Sequence, residues 1–226
     1  MHTSYKMTEL TVTRALEHDI IFGRLLPGQR LREDTIIREL GATRHHVRAA
    51  LRNLEKSGIV VRERNKGASV RAYTTEEVLQ LYDIREMLTR QAALRIPLPV
   101  TPGQIDQLQN LQTTYEAAVK DHWLPAIHDA NDRFHATLFG LSNNPYLVDL
   151  LQRSMDMTYI IRAADMADPV HLAEALAEHR MIVSMLTGTD SWALAEMCVR
   201  HLQPSKEAYL RRLQHEDGRR SDMRSR

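Results

Sequence analysis

A single cysteine, Cys198, stands in 226 residues, which excludes an internal disulfide and any zinc site built from several thiolates. Its neighbours Met197 and Val199 point to a packed thiol. No apolar run approaches the ~20 residues that cross a bilayer as a helix, and the opening MHTSYKMTEL lacks the apolar stretch of a secretory signal. The expectation is a cytoplasmic protein with no membrane attachment. Nor is there a surplus of one charge, since 30 Lys+Arg face 29 Asp+Glu. That balance hides a segregation. Residues 1–72 hold 14 Lys+Arg against 8 Asp+Glu, or +6, and residues 73–226 hold 16 against 21, or −5. A small basic segment joined to a larger acidic one is the layout of a polyanion reader attached to a module with another task. At 43% hydrophobic, the chain has the apolar material for a real core.

The basic segment contains LREDTIIRELGATRHHVRAALRNLEKSGIVVRERNKGASVRAY. Its pattern is helix, tight break at Gly41, helix, then two strand-like runs around Asn65-Lys66-Gly67. Thr43 is placed to cap the second helix, whose buried stripe is Val47, Ala50, Leu51 and Leu54 at i, i+3, i+4, i+7. Arg44, Arg48 and Arg52 recur every four residues on the outer face, with His45 alongside. Guanidinium forks beginning at a helix N-terminus suit guanine edges and phosphates. The two runs form a wing, with Gly67 at positive φ and Lys66 presented at the turn.

The stretch LLPGQRLRED…LGATRHHVRAALRNLEKSGIVV…NKGASV resembles the winged-helix domain of GntR-family transcription regulators, usually PG-x-x-L, SRTPVREAL, L-x-x-x-G-L-V and a glycine wing. That resemblance implies that Thr43, Arg44 and Arg48 contact operator DNA and that Gly67 lies at the wing tip in the minor groove. His45-His46 replaces the common Thr-Pro, Ala49 replaces the usual Glu, and Asp34 stands where some members have a contacting arginine. Two histidines there would add donors and a pH dependence to binding.

From Thr74 onward nothing reads as strand. Thr74 to Glu77 is a capping box opening a helix that stops at Pro97; Thr101-Pro102, Asp168-Pro169 and Asp190-Ser191 open later ones, giving about six helices over residues 73–216. Pro204 should break the last of them. Residues 217–226 read as a basic, unstructured tail. The fold class is therefore mostly α: a small α+β winged helix-turn-helix followed by an all-α bundle.

Several polar side chains fall on the inward stripes of that bundle. His179 lies among Leu172, Leu176, Val183 and Leu186; His201 follows Leu194 and Met197 at the same spacing; Asn131 and His135, one turn apart, border Ile127, Ala130, Phe134 and Leu138. Burying one unpartnered imidazole costs on the order of 1–3 kcal/mol, and a divalent ion such as Zn²⁺ or Ni²⁺ would satisfy several together. This half resembles the FCD effector-binding domain of the FadR-like branch of the GntR family, with its D/N-x-x-F-H, E-H-x-x-I and final helical histidine. The resemblance implies a metal held by Asn131, His135, His179 and His201, with coordination positions left for water or a carboxylate.

Asn131 is neutral where many members carry Asp, so the ion would keep its full charge and favour an anionic ligand. Arg85 and Arg162 are candidate clamps for an acid group, or else surface ion pairs. Asp132, about 100° round the helix from Asn131, is expected to be solvated. His128 continues the Asn131 face, either behind the ligands or exposed, and His171 shows no comparable pattern. Glu178 is the only carboxylate beside a ligating histidine and is rotated from the His179 face, so a metalloenzyme is disfavoured. The expectation is a ligand-responsive regulator, not an enzyme. It would bind palindromic duplex DNA as a homodimer and sense a small carboxylate, or the divalent metal itself.

Overall fold

At Gly41 the backbone takes φ +61°, and the Thr43 hydroxyl accepts the His46 N–H at 3.2 Å. A left-handed glycine ends one helix and a side-chain cap starts the next, so the chain turns within three residues. The computed structural model describes residues 7–21, 23–63, 67–163 and 168–224, without the side chains of residues 124, 125, 163 and 216–224. The chain divides into two compact units, up to Tyr73 and from Thr74.

The first unit contains α1 (Glu9–Ile21), β1 (Arg30–Leu31), α2 (Glu33–Leu40), α3 (Arg44–Lys56), β2 (Val60–Glu63) and β3 (Gly67–Val70). The strands run antiparallel in the order β1-β3-β2, with Val61 and Arg30 flanking Ser69 from either side. Gly67 opens β3 at φ +82°, as the wing requires. The expected stripe of Val47, Ala50, Leu51 and Leu54 is wholly buried. α1 and β1 exceed the order read from the sequence. α1 packs on α3 through Val12 and Leu16, and its Glu9 accepts a hydrogen bond from Asn53 at 2.7 Å.

The second unit is helical throughout its described residues, with α4 (Thr75–Ala93), α5 (Pro102–Lys120), α6 (Leu124–Gly140), α7 (Pro145–Met157), α8 (Tyr159–Ala163), α9 (Pro169–Met185), α10 (Ser191–Arg200) and α11 (Gln203–Arg224). The caps are the expected ones. Thr74 and Glu77 exchange hydrogen bonds at 2.8 and 3.2 Å, and the Asp168 and Asp190 carboxylates cap α9 and α10 at 2.9 Å. Eight helices replace the anticipated six because α8 is a separate short turn and Pro204 splits α10 from α11. The stretch expected to be an irregular tail is instead helical to Arg224. After Pro204 no proline interrupts it, and Gln, Glu, Arg and Met favour helix enough to carry it past Gly218.

The core joins Leu108, Phe134, Leu138, Leu151, Ile182, Leu186 and Leu194. Cys198 lies in it, and burial pushes its thiol up to about 12. No helix among the described residues is long and apolar enough to cross a membrane.

Replacing Thr43 with alanine removes the α3 cap and should weaken the first unit by about 1 kcal/mol. Faster hydrogen exchange of the α3 amides checks this, with Arg52→Ala, on the exposed face, as the neutral control.

Candidate functional site

α6, α9 and α10 each deliver one imidazole to the same place. Ligating nitrogens of His135, His179 and His201 lie within 4.8 Å of one another, and the His179 and His201 Nε2 atoms are 3.1 Å apart. His135 and His179 are buried among rings, with Phe134 stacked on His179 at 4.2 Å and Phe139 on His135 at 6.0 Å. His201 reaches them from the C-cap of α10, where αR dihedrals keep its side chain on the stripe of Leu194 and Met197. Its Nδ1 donates to Glu178 Oε2 at 2.7 Å, which turns Nε2 toward His179. The Glu178 carboxyl is held below its ordinary range: burial opposes this, and the His201 hydrogen bond overcomes it. The buried His179 Nδ1 has no hydrogen-bond partner.

His135 and His201 border a cavity of about 40 Å³ lined also by Arg85, Tyr115, Asn131, Arg162, His171 and Ser205. Asn131 is half-buried there, beside His135 and His201 as expected. His171, Tyr115 and Ser205 were not anticipated; the one available signal was that His171 precedes His179 by two turns of α9.

Neither arginine is a surface ion pair, since both are 4% exposed. Arg162 Nη1 donates to Asp132 Oδ1 at 2.6 Å, which corrects the expectation that Asp132 is solvated: α8 brings a cation against that flank of α6. His128 is half-buried against the same pair, 3.6 Å from Asp132, and packs on Tyr159. Asp132 raises Arg162 against the opposing effect of burial. Arg85 is different. Its Nη1 reaches only the Tyr82 and Thr158 hydroxyls, both at 3.4 Å, its Nε is unpartnered, and burial draws it down to about 10, still a cation at neutral pH.

In the first unit Arg44, His45, Arg48 and Arg52 are exposed on α3, whereas His46 is half-buried with Nδ1 inside. Ala49 is 4% exposed, so the position where relatives carry Glu faces inward here. Gly67 is at the start of β3; Lys66, assigned to DNA from the sequence, lies outside the described residues.

Residues 8–70 match the family described as bacterial regulatory proteins, gntR family, and residues 80–204 match the FCD domain. The helix-turn-helix-type transcriptional regulator YdhC of Bacillus subtilis is 28% identical over 176 residues, covering 74% of this chain and 75% of that one. The regulator McbR of Escherichia coli is 25% identical over 191 residues, covering 80% and 83%. The solved structure of E. coli McbR superposes with a TM-score of 0.63 at 21% identity, over 92% of this chain and 97% of that one, a likeness of fold.

Burial holds His135 and His179 well below the ordinary histidine range, with the neighbouring His201 the next cause for each. Burial, then the Arg162 charge, takes His128 down to about 4. An unfolded histidine takes up its proton near 6.5. The unfolded chain thus binds more protons between those values, and the second unit should lose stability as pH falls from about 6.5 toward 4. Urea unfolding of chelator-treated protein, followed by Trp123 and Trp192 fluorescence, checks this. His128→Gln should flatten the decline.

Proposed function

The chain belongs to the gntR family of bacterial regulatory proteins and is a DNA-binding transcriptional regulator with an FCD domain, and we propose that this domain binds a divalent cation and through it a small carboxylate. One observation carries the reading: three imidazoles converge on one another, and two of them, His135 and His201, line a cavity that the buried Arg85 guanidinium also lines. Two nitrogens bonded to one ion at about 2.0–2.1 Å stand roughly 3.0–3.4 Å apart. The 3.1 Å between His179 and His201 fits that spacing. Neutral imidazoles with an amide oxygen from Asn131 are a donor set suited to zinc or nickel. When bound, the ion supplies Lewis acidity and open positions for an anion.

The protein's own groups favour an anion there. Asn131 adds no charge, Arg162 is already matched by Asp132, and Arg85 has no carboxylate partner among the described residues. Arg85 is therefore the clamp for the ligand's acid group, while Arg162 holds the wall of the cavity. Glu178 fixes the His201 ring through Nδ1, the arrangement by which a carboxylate orients a metal-ligating histidine. With that oxygen engaged, Glu178 serves orientation and not proton abstraction.

A ligand between helices favours one packing of the bundle, and in a cytoplasmic homodimer on a palindromic operator this would change how well two winged helices bind together. Thr43, Arg44, Arg48 and Arg52 of α3, with His45, His46, Lys66 and Gly67, make up the DNA-reading face of each copy.

Native mass spectrometry after zinc or nickel loading should show one ion per chain. His179→Gln should abolish it, and Glu178→Gln should weaken it by about 10–100-fold. In calorimetry, metal-loaded protein should bind short carboxylic acids in preference to matched amides. Arg85→Met should lower that affinity about tenfold while leaving metal content unchanged. Equal binding of acids and amides removes the carboxylate reading. Operator affinity that responds to chelator and to no acid assigns the signal to the metal itself.

A further inference from the structure

Two carboxylates stand beside the arginines of the DNA-reading helix. Arg48 Nε donates to Glu33 Oε2 at 2.8 Å, and Arg44 Nη2 donates to Asp34 Oδ1 at 2.7 Å. Glu33 Oε2 is also 3.8 Å from Arg44 Nη1. Both acids come from the first turn of α2, where the turn at Gly41 folds α2 back against α3. The arginines are 58% and 54% exposed and Asp34 is 81% exposed, so these are surface pairs that contribute little to stability. They border an open groove whose rim includes Arg30, Arg32 and Gly67.

Acidic groups on a face that must approach a polyanion call for an account. A phosphate is attracted mainly by net charge, and its contacts carry no sequence information. A guanine edge is neutral and is read by two aligned donors on O6 and N7. In each pair the carboxylate takes one donor group of the guanidinium and leaves the others free. It cancels the charge a phosphate responds to, keeps donors a base needs, and fixes the plane in which they lie.

We propose that Glu33 and Asp34 determine specificity by neutralising Arg48 and Arg44 on the reading face, so that these arginines hold guanine edges in preference to phosphates. Arg52, exposed on the same helix, lacks such a carboxylate among its described contacts and remains a phosphate-seeking cation.

Glu33→Gln and Asp34→Asn keep an oxygen acceptor of the same shape and remove only the charge. Full-length wild type and variants are titrated onto two duplexes of about 30 base pairs, one of random sequence and one enriched from a random library by the wild type, across 50–200 mM salt. Each variant should bind the random duplex more tightly. The slope of log affinity against log salt should steepen by up to about 0.9 per carboxylate removed, about a threefold greater loss of affinity across that range. The ratio of enriched to random affinity should fall in both variants and fall further in the double variant. Unchanged random-duplex affinity and slope overturn the proposal. So does loss of the enriched duplex alone, which would make the acids direct base contacts. Arg44→Gln, as the control, should weaken both duplexes.

Discussion

Keeping the His135 and His179 imidazoles uncharged inside the bundle is the constraint around which the second unit is arranged. Phe134, Phe139 and Tyr115 lay their rings against His135 and His179. In that setting a protonated His135 or His179 would be a buried charge, so these two rings are held neutral and their lone pairs stay available. Glu178 extends the same logic outward, since its hydrogen bond to His201 Nδ1 selects which nitrogen faces the cavity.

Both units manage arginine in a related way. Arg44, Arg48 and Arg162 each have a carboxylate within 2.8 Å, so their positions are set before any ligand arrives. Arg85 breaks that rule, with hydroxyls at 3.4 Å and an idle Nε. A buried cation left this way is costly unless something else completes it. The charge imbalance at the cavity therefore comes from one residue and not from a general excess of basic groups.

What could be read from the sequence follows from how local each signal is. The cap at Thr43, the stripe of α3 and the left-handed glycines 41 and 67 depend on neighbours within one or two turns, and periodicity finds them. The inward direction of His135, His179 and His201 is equally local; their meeting point depends on how α6, α9 and α10 pack, and it is expected from the cost of burying each imidazole alone together with the family resemblance. Asp132 illustrates the limit. Its partner is thirty residues away on α8, a five-residue helix with no pattern of its own, so periodicity assigned it to solvent. Glu178 was set aside for the same reason, since the residue it serves sits on another helix. α1 did carry a signal, Val12, Leu16 and Ile20 at four-residue spacing, but its polar remainder left it weaker than the stripe of α3.

The break at Pro204 places His201 at a joint. Proline has no N–H for the Arg200 carbonyl, so the chain between α10 and α11 is held by one backbone bond fewer than a continuous helix would have. Beyond it α11 runs for 22 residues. At ~1.5 Å per residue that is roughly 33 Å, so a tilt of about 5° at the joint carries the far end about 3 Å. His201 thus stands at the joint from which α11 departs, so a shift of its ring and a tilt of that helix would be one movement.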